Sequence, residues 1–414
     1  MTLSLCWRTS RSRRLLRGAG GNAPRPSREI LWAGFRLLAL GLSACFATSS
    51  LAQDADLPPY ESRTPVEIAP VGPFYGIRLR GLGGAYTAVA EGAEGTLTSL
   101  ASLANRRPDE SGYFHWSGTL SWAFPAGNLD VTNNGRSTPT GFSLLATGVA
   151  LRFGALGVGF FIESMGIFDR VSMRRARANR AVVGLAYALP GDEWILGAGV
   201  HSVGYRLEQP GFQPVDTSKP HLGADLLWRP LLAKFRLGAS IKSPGRAPLP
   251  AVSATRTPAA VLRPWEASMG GALWLGDGPL NLPLPNTERA RPREPSRVGL
   301  LLSMDVFVVG PPPFDSGEVA GLEAYFEERL QLVRDRPSLG LRVGGETEAL
   351  PDEVRLRGGF WLEPSRFAGV SPRLHWTGGF DIRLFRFFDY HVRTSLVFDM
   401  ASSYRVGGIS VGFW

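Results

Sequence analysis

Cysteine and long apolar runs are both scarce in this sequence. The two cysteines, Cys6 and Cys45, lie near the start of the chain. Beyond Ala52, no stretch approaches the roughly 20 consecutive apolar residues that a membrane-spanning helix needs. That part of the chain therefore has no disulfides and no cysteine-based metal sites. If it crosses a membrane, it must do so with strands.

The first 52 residues have the features of an export signal. A basic start is followed by an apolar run at 37–47 and a small-residue stretch that ends Ser50-Leu51-Ala52. These features predict cleavage after Ala52 and a mature chain that begins at Gln53. Two alternatives are a lipoprotein signal, Leu42-Ser43-Ala44-Cys45, and a buried core helix.

The remainder of the chain has no large excess of either charge. Eight of the 45 basic residues and one of the 36 acidic residues fall within 1–52, which leaves 37 basic against 35 acidic residues. A nucleic-acid-binding protein needs a basic surface. The charge balance therefore argues against nucleic acid as a partner.

From Ser111 onward, apolar and polar residues alternate. Between Arg373 and Arg383, for example, Trp376 and Phe380 alternate with His375 and Asp381. Successive strand residues point to opposite faces, so this period predicts strands with one apolar and one polar face. Fourteen such stretches are present: 112–124, 140–153, 155–165, 180–189, 194–207, 220–229, 233–243, 265–275, 297–308, 338–347, 354–363, 372–384, 388–400 and 404–414.

The predicted connections alternate in length. Longer ones follow the odd-numbered strands and shorter ones the even-numbered strands, with exceptions after the eighth and thirteenth. Short turns inside and long loops outside are typical of bacterial outer-membrane barrels, as is an even strand count. The sequence therefore predicts an all-β fold, a 14-stranded antiparallel transmembrane barrel in the outer membrane. The alternative is a soluble periplasmic sandwich or propeller. The strands of such folds also alternate apolar and polar residues, but their connections are not expected to alternate between long and short.

Residues 78–104 are rich in glycine and alanine and resemble the N-terminal plug segment of the FadL and PorV group of outer-membrane proteins. The matching residues are Arg80, Gly81, Gly83, Gly84, Ala85, Ala88, Ala90 and Glu91, with Ala101, Leu103 and Ala104 at the end. At Ser99 and Leu100 this sequence departs from the Asn-Pro of the group. Gly-Ala-Ser-Ile-Lys-Ser-Pro at 238–244 resembles the group's strand that ends in Ser-Pro.

The resemblance implies a fourteen-stranded barrel with a plug inside it. Together with the strand pattern it divides the chain into a signal peptide (1–52), a lead-in and plug segment (53–110) and the barrel (111–414). The implied function is passive transport of small hydrophobic compounds. The alternative implied by PorV is a non-transporting membrane platform for secretion or surface assembly. A soluble periplasmic binding module is a third possibility, if the chain does not form a barrel.

The polar faces of the strands predict an inner wall with charges of both signs. Charges are costly on the lipid side of a barrel, so these residues should face the lumen. The candidates are His115, Arg342, Arg355, Arg357, His375, Asp381, Arg383 and Arg393. No two of the five histidines are close in sequence, so no metal pair is predicted. Neither an enzyme nor a cofactor is indicated.

Three further features concern partners and local structure. The chain ends in aromatic residues, Phe413-Trp414, of the kind that the barrel assembly machinery recognises. Arginines between Arg170 and Arg180 could bind the phosphates of lipopolysaccharide in the outer-membrane lipid, although a solvated loop is the alternative. Residues 318–334 have apolar positions at three- and four-residue steps, which predicts a helix.

Overall fold

The computed structural model describes thirteen ranges of the chain, which do not include the predicted signal and its cleavage site. They are residues 65–67, 76–105, 113–127, 129–135, 141–168, 173–211, 214–249, 258–281, 299–312, 318–321, 331–351, 353–387 and 390–413. None of the helices in these ranges is long and apolar enough to cross a membrane.

Nineteen strands are present in the described ranges, and fourteen of them form a closed barrel. The barrel strands are β2 (Phe114–Pro125), β3 (Gly141–Phe153), β4 (Leu156–Phe168), β5 (Arg175–Ala188), β6 (Trp194–Glu208), β7 (Val215–Trp228), β8 (Phe235–Lys242), β11 (Glu266–Gly276), β12 (Gly299–Val309), β15 (Ser338–Leu350), β16 (Val354–Glu363), β17 (Arg373–Phe387), β18 (Tyr390–Ala401) and β19 (Tyr404–Phe413). The other five are β1 (Val66–Glu67), β9 (Gly245–Pro248), β10 (Ala260–Arg263), β13 (Glu318–Gly321) and β14 (Gln331–Leu332).

The barrel confirms the predicted fold class. Each of the fourteen predicted stretches overlaps one barrel strand, in the same order. All ladders of the barrel are antiparallel, and β19 closes it by pairing with β2, from Val406 opposite Pro125 to Phe413 opposite Gly118. The connections after β8 and β12 are long, and so is the one after β11, the predicted exception.

The two faces of the barrel wall differ in polarity as the alternation predicts. On β17, Trp376 is 60% exposed and points outward, whereas the neighbouring His375 and Asp381 are fully buried and point inward. The outward face of the barrel as a whole is dominated by exposed Leu, Val, Ile, Phe and Trp side chains. An apolar outer band suits contact with lipid chains.

Residues 76–105, called the lumen segment below, occupy the inside of the barrel. They contain α1 (Ile77–Gly81) and two short 3-10 helices, Ala93–Leu97 and Leu100–Leu103. Every residue of the segment is buried. Its hydrogen bonds reach inward-facing side chains all around the wall, including Ser117 on β2, Asp225 on β7, Asp305 on β12 and Thr377 on β17.

A small five-stranded sheet, called the capping sheet below, lies at the end of the barrel that carries the long connections after β8 and β12. Its order is β14-β13-β1-β10-β9. β1 lies in the middle and pairs in parallel with both β10 and β13. Glu67 on β1 is buried and forms an ion pair with Arg366, whose Nε lies 2.6 Å from Glu67 Oε1.

The predicted helix at 318–334 is wrong at both of its ends, and its middle, 322–330, lies outside the described residues. Residues 318–321 form β13 and residues 331–332 form β14, which pair with each other. β13 also pairs with β1, with Val66 opposite Ala320. At 318–321, backbone hydrogen bonds to a strand that is distant in sequence therefore override the local helical spacing.

Candidate functional site

The barrel wall is interrupted next to β7. This strand is paired along its length with β6, from Leu207 opposite Val215 to Trp194 opposite Trp228. It pairs with β8 only from Gly223 to Trp228. On the β8 side, the half of β7 before Gly223 has no ladder partner among the described strands.

Pro220 lies in this unpaired half. The backbone of Leu222 faces β8, because its N–H donates to Ser243 Oγ and its carbonyl accepts from Ser243 N–H. Residues two apart on a strand direct their backbone groups to the same side, so the backbone nitrogen of Pro220 also faces this side. A proline nitrogen carries no hydrogen, and proline is tolerated where no ladder partner needs that bond.

The interruption arises because the hairpin of β8 and β11 bends inward. β8 ends at Lys242, and after Ser243-Pro244 the chain continues as β9; β10 similarly leads through Pro264-Trp265 into β11. β9 and β10 pair with each other and join the capping sheet. Proline at both bends removes a donor that a continuing barrel ladder would use.

An apolar groove of about 630 Å³ runs along the lipid-facing surface to this interruption. Its floor includes Ala198 and Ala224, which are directly opposite each other on β6 and β7. Larger apolar side chains border the floor, and Pro244 and Trp265 lie at the bend of the hairpin. The lining residues outside the floor include Leu185, Val200, Leu222, Ile241, Lys242, Ser243, Pro244 and Trp265.

Lys242 lines both this groove and an interior cavity of about 20 Å³. Its Nζ donates to the carbonyl of Leu97 in the lumen segment at 2.7 Å and lies 3.5 Å from Glu266 Oε2. Arg263 also contacts Glu266, at 3.2 Å. The side chain of Lys242 thus stands between the lipid-facing groove and the polar interior.

Two histidines that are distant in sequence meet beside this point. His201 and His221 are directly opposite each other on β6 and β7, and their ring centroids are 5.3 Å apart. Both are buried, and His201 Nε2 and both ring nitrogens of His221 have no hydrogen-bond partner among the described residues. Their spacing in the sequence did not predict this contact, because it depends on the register of the hairpin formed by β6 and β7. Within the described ranges, no group of three or more metal-ligating residues is arranged to hold an ion.

A buried ion-pair network connects the lumen segment to the opposite wall. Arg78 Nη2 lies 2.8 Å from Glu346 Oε1 on β15, and Arg78 Nη1 lies 3.1 Å from Glu91 Oε2. Glu346 also pairs with Arg357 on β16, which in turn pairs with Asp381 on β17. Each of these charges therefore has a partner of opposite sign, as burial requires.

A second network lies on β16, β17 and β18. His375 Nδ1 is 2.8 Å from Asp399 Oδ1, and its Nε2 is 3.0 Å from Glu363 Oε2. Arg373 pairs with Glu363, and its Nη1 donates to the carbonyl of Asp130 at 2.6 Å. This network holds the connection that follows β2 against the wall.

The lumen segment is also held by single side chains. Asp305 Oδ2 accepts hydrogen bonds from the N–H groups of Tyr86 and Thr87, at 2.8 and 2.9 Å, and from Thr87 Oγ1 at 2.8 Å. Glu94 accepts from the N–H of Arg78 at 3.0 Å. Burial raises the pKa of Glu94 above its ordinary value, although Arg357 and Arg78 act in the opposite direction.

The glycine run of the lumen segment is tightly packed. Gly83 and Gly84 have φ angles of +61° and +78°, in the left-handed region that favours glycine. A Cβ at Gly83 would lie 2.8 Å from the carbonyl oxygens of Phe360 and Val343. Glycine is therefore required here both by the backbone conformation and by the close approach to the wall.

The structure places the predicted site residues in two groups. Arg80, Gly81, Gly83, Gly84, Ala85, Ala88 and Glu91 lie in the lumen segment and are buried. Arg342, Arg357, His375, Asp381 and Arg393 are buried on the inward face, whereas His115, Arg355 and Arg383 are half-buried. Of the second group, Arg357 and Asp381 form an ion pair with each other.

Comparison with solved structures identifies the fold. The monoaromatic hydrocarbon channel CymD superimposes with a TM-score of 0.51 at 13% identity, covering 83% of this chain and 97% of CymD. The chain has a FadL-like fold. A FadL homologue from Pseudomonas aeruginosa (TM-score 0.49, 12% identity, 86% of this chain and 98% of the homologue) and the toluene transporter TodX from Pseudomonas putida (0.45, 12%, 87% and 98%) are also similar. No family model and no curated protein matches the sequence.

Proposed function

We propose that this protein is an outer-membrane barrel through which small hydrophobic compounds pass passively. The observation that carries the proposal is the apolar groove on the lipid-facing surface, which ends where the ladder between β7 and β8 stops. An apolar solute released there enters the outer leaflet without crossing a polar layer. Burial of apolar surface provides the driving force.

Passage beside the lumen segment requires a movement, because every residue of that segment is buried in this conformation. Two interior cavities that the described residues line beside it measure about 20 and 10 Å³, each room for about one water molecule. Between the groove and the first of them stands Lys242, which one hydrogen bond ties to Leu97. Release of that bond, with a shift of β9 and β10, is the smallest change that joins the two spaces.

The solute class we propose is monoaromatic. CymD is described as a monoaromatic hydrocarbon channel, and it is the structure whose fold supports the comparison. The groove here is lined chiefly by aliphatic side chains and small residues, and a single aromatic ring fits above the alanine floor. The floor residues Ala198 and Ala224 are therefore the positions at which to block it.

The rival function is a membrane platform that transports nothing. The buried ion pairs that tie the lumen segment to the wall are the feature of the structure that would suit it. If the protein were a platform, the groove would be a lipid-facing surface that does not connect to the interior of the barrel. Uptake measurements separate the two functions.

The experiment compares uptake of radiolabelled toluene into liposomes that contain the folded protein or its variants. Ala198→Trp and Ala224→Trp place a large side chain in the groove floor. Val306→Trp is the matched control, since Val306 also faces outward but lies on β12, away from the groove. We expect toluene uptake by the unmodified protein and by the control, and a loss of about tenfold in each groove variant.

Two results would contradict the proposal. Liposomes with the unmodified protein that take up no more toluene than liposomes with an unrelated barrel would favour the platform. Groove variants that transport as well as Val306→Trp would show that solutes do not use the groove. Folding of each variant is checked by the different gel migration of boiled and unboiled samples.

A further inference from the structure

Two arginines of β5 face outward at the end of the barrel that carries the long connections. Arg175 and Arg177 are exposed, whereas Ala176 and Ala178 between and beside them are buried. Because strand residues alternate between faces, both guanidinium groups lie on the lipid-facing side of the wall. They belong to the arginine-rich stretch identified in the sequence.

These arginines are poorly neutralised by neighbouring acids. Arg177 is directly opposite Arg206 on β6 and Gly166 on β4, and no described carboxylate forms an ion pair with it. Arg206 lies next to Glu208, at 2.9 Å, and opposite Asp216 on β7. The carboxylate of Glu208 is 4.0 Å from Arg175. Like charges that are directly opposite destabilise a sheet, so this arrangement favours an additional anion.

A groove of about 770 Å³ lies beside the arginines. Its floor is formed by small outward-facing residues, Ser143, Ser164 and Gly166. One border is apolar and consists of Trp122, Phe124 and Leu145, and the other is formed by Arg175, Arg177 and Phe168. The groove thus offers one apolar side and one cationic side to the same ligand.

The position of the groove along the wall places it at the level of lipid headgroups. Further along β5, the outward residues Val183, Leu185 and Tyr187 are apolar and exposed. Towards the start of β5, the outward residues Asn179, Arg177 and Arg175 are polar. Arginine is costly in the apolar core of a bilayer and tolerated near its surface.

We propose that this groove binds a phosphorylated glycolipid of the outer leaflet. Arg175 and Arg177 contact its phosphate groups, and an acyl chain lies along Trp122, Phe124 and Leu145. Guanidinium groups form paired hydrogen bonds with phosphate oxygens, which matches two neighbouring outward arginines, of which Arg177 has no ion pair with a described carboxylate and Arg175 only a distant one at 4.0 Å. The proposal requires that the end of the barrel with the long connections lies on the extracellular side of the membrane. It does not depend on whether the protein transports solutes.

The test measures lipid retained by the detergent-folded full chain with native mass spectrometry. The probes are bisphosphorylated lipid A, the same lipid with its phosphates removed, and inorganic phosphate. The test variant is Arg175→Glu with Arg177→Glu, and the conservative variant is Arg175→Lys with Arg177→Lys. Arg405→Glu is the matched control, because Arg405 is another exposed arginine at the same end, on β19.

We expect bisphosphorylated lipid A to bind the unmodified protein and Arg405→Glu equally. The double glutamate variant and the dephosphorylated lipid should each bind about tenfold more weakly, and the double lysine variant should be intermediate. If the double glutamate variant does not fold, Gly166→Leu replaces it, because a side chain there fills the groove floor without changing the charge. It should weaken lipid binding to a similar extent.

Three outcomes would overturn the proposal. The first is unchanged binding in the double glutamate variant or in Gly166→Leu. The second is an equal loss in Arg405→Glu, which would indicate attraction by overall charge. The third is displacement of the lipid by millimolar inorganic phosphate, which would indicate a site for free phosphate. Toluene uptake is measured in parallel, so a failure here is distinguishable from a failure of transport.

Discussion

Two sides of the barrel wall hold the lumen segment in different ways. On the side of β15, β16 and β17, the ladders extend along the strands, and Arg78, Glu346, Arg357 and Asp381 form a buried network. On the side of β7 and β8, the ladder covers only six residue pairs, and the lumen segment is held by separate contacts: Lys242 donates to Leu97, Asp225 accepts from Leu100, and Arg236 pairs with Glu91. Both sides alternate apolar and polar residues. Alternation therefore sets which way side chains face, whereas the prolines at the bends decide where strands stay paired.

The largest effect is expected from Arg357→Ala, which breaks the network on the continuous side. Loss of this cation leaves Glu346 and Asp381 buried with fewer partners, and removing one member of a buried ion pair typically costs about 3–5 kcal/mol. The measurement is urea unfolding of the folded barrel. A loss no larger than that of Arg405→Ala, at an exposed position, would mean that the network does not hold this side together.

A somewhat smaller effect is expected from Gly83→Ala on the same side. The substitution adds a Cβ against two backbone carbonyls and strains a left-handed backbone, together about 2 kcal/mol or more. Because the neighbouring atoms belong to barrel backbone, the lumen segment and not the wall should move. Amide hydrogen exchange should accelerate within 76–105 while the strands remain protected. Equal protection in both proteins would contradict the close packing.

Lys242→Met tests the interrupted side. It removes the hydrogen bond to Leu97, a loss of about 1 kcal/mol, and the ion pair with Glu266, which keeps its pair with Arg263. Stability should fall less than in the two variants above, but toluene uptake should increase, because the side chain between the groove and the interior no longer contacts the lumen segment. Lys234→Met is the control, since Lys234 contacts the carbonyl of Gly276 at an exposed position. Uptake that is unchanged in both variants would remove Lys242 from the proposed route.

The smallest effect concerns pH. Burial raises the pKa of Glu94 in the folded protein above its unfolded value. Between these two values the folded protein binds more protons than the unfolded chain, so this residue makes stability fall as pH rises through that window. Glu94→Gln should reduce that fall. Unfolding midpoints measured across the acidic range would reveal the difference, and parallel profiles for both proteins would exclude it.

The histidine pair and the predicted helix show the limit of reading the sequence alone. The apolar spacing at 318–334 favours a helix locally, but its first four residues form β13, which pairs with β14 and with β1, a strand distant in sequence. His201 and His221 meet because of a hairpin register that no local pattern specifies. The sequence nevertheless contains a signal for the interruption. Three prolines, Pro220, Pro244 and Pro264, lie at the ends of the predicted strands 220–229, 233–243 and 265–275, where a continuing ladder would need a backbone N–H.

The alternation of apolar and polar residues was enough to predict the number and order of the barrel strands and the direction of their side chains. The reason is physical: lipid on one side and a polar lumen on the other impose a two-residue period on every strand. The alternation did not predict where the wall is interrupted, how β1 joins the capping sheet or which charges form ion pairs. These features depend on hydrogen bonds and ion pairs between residues far apart in the chain, and local patterns do not specify such partners.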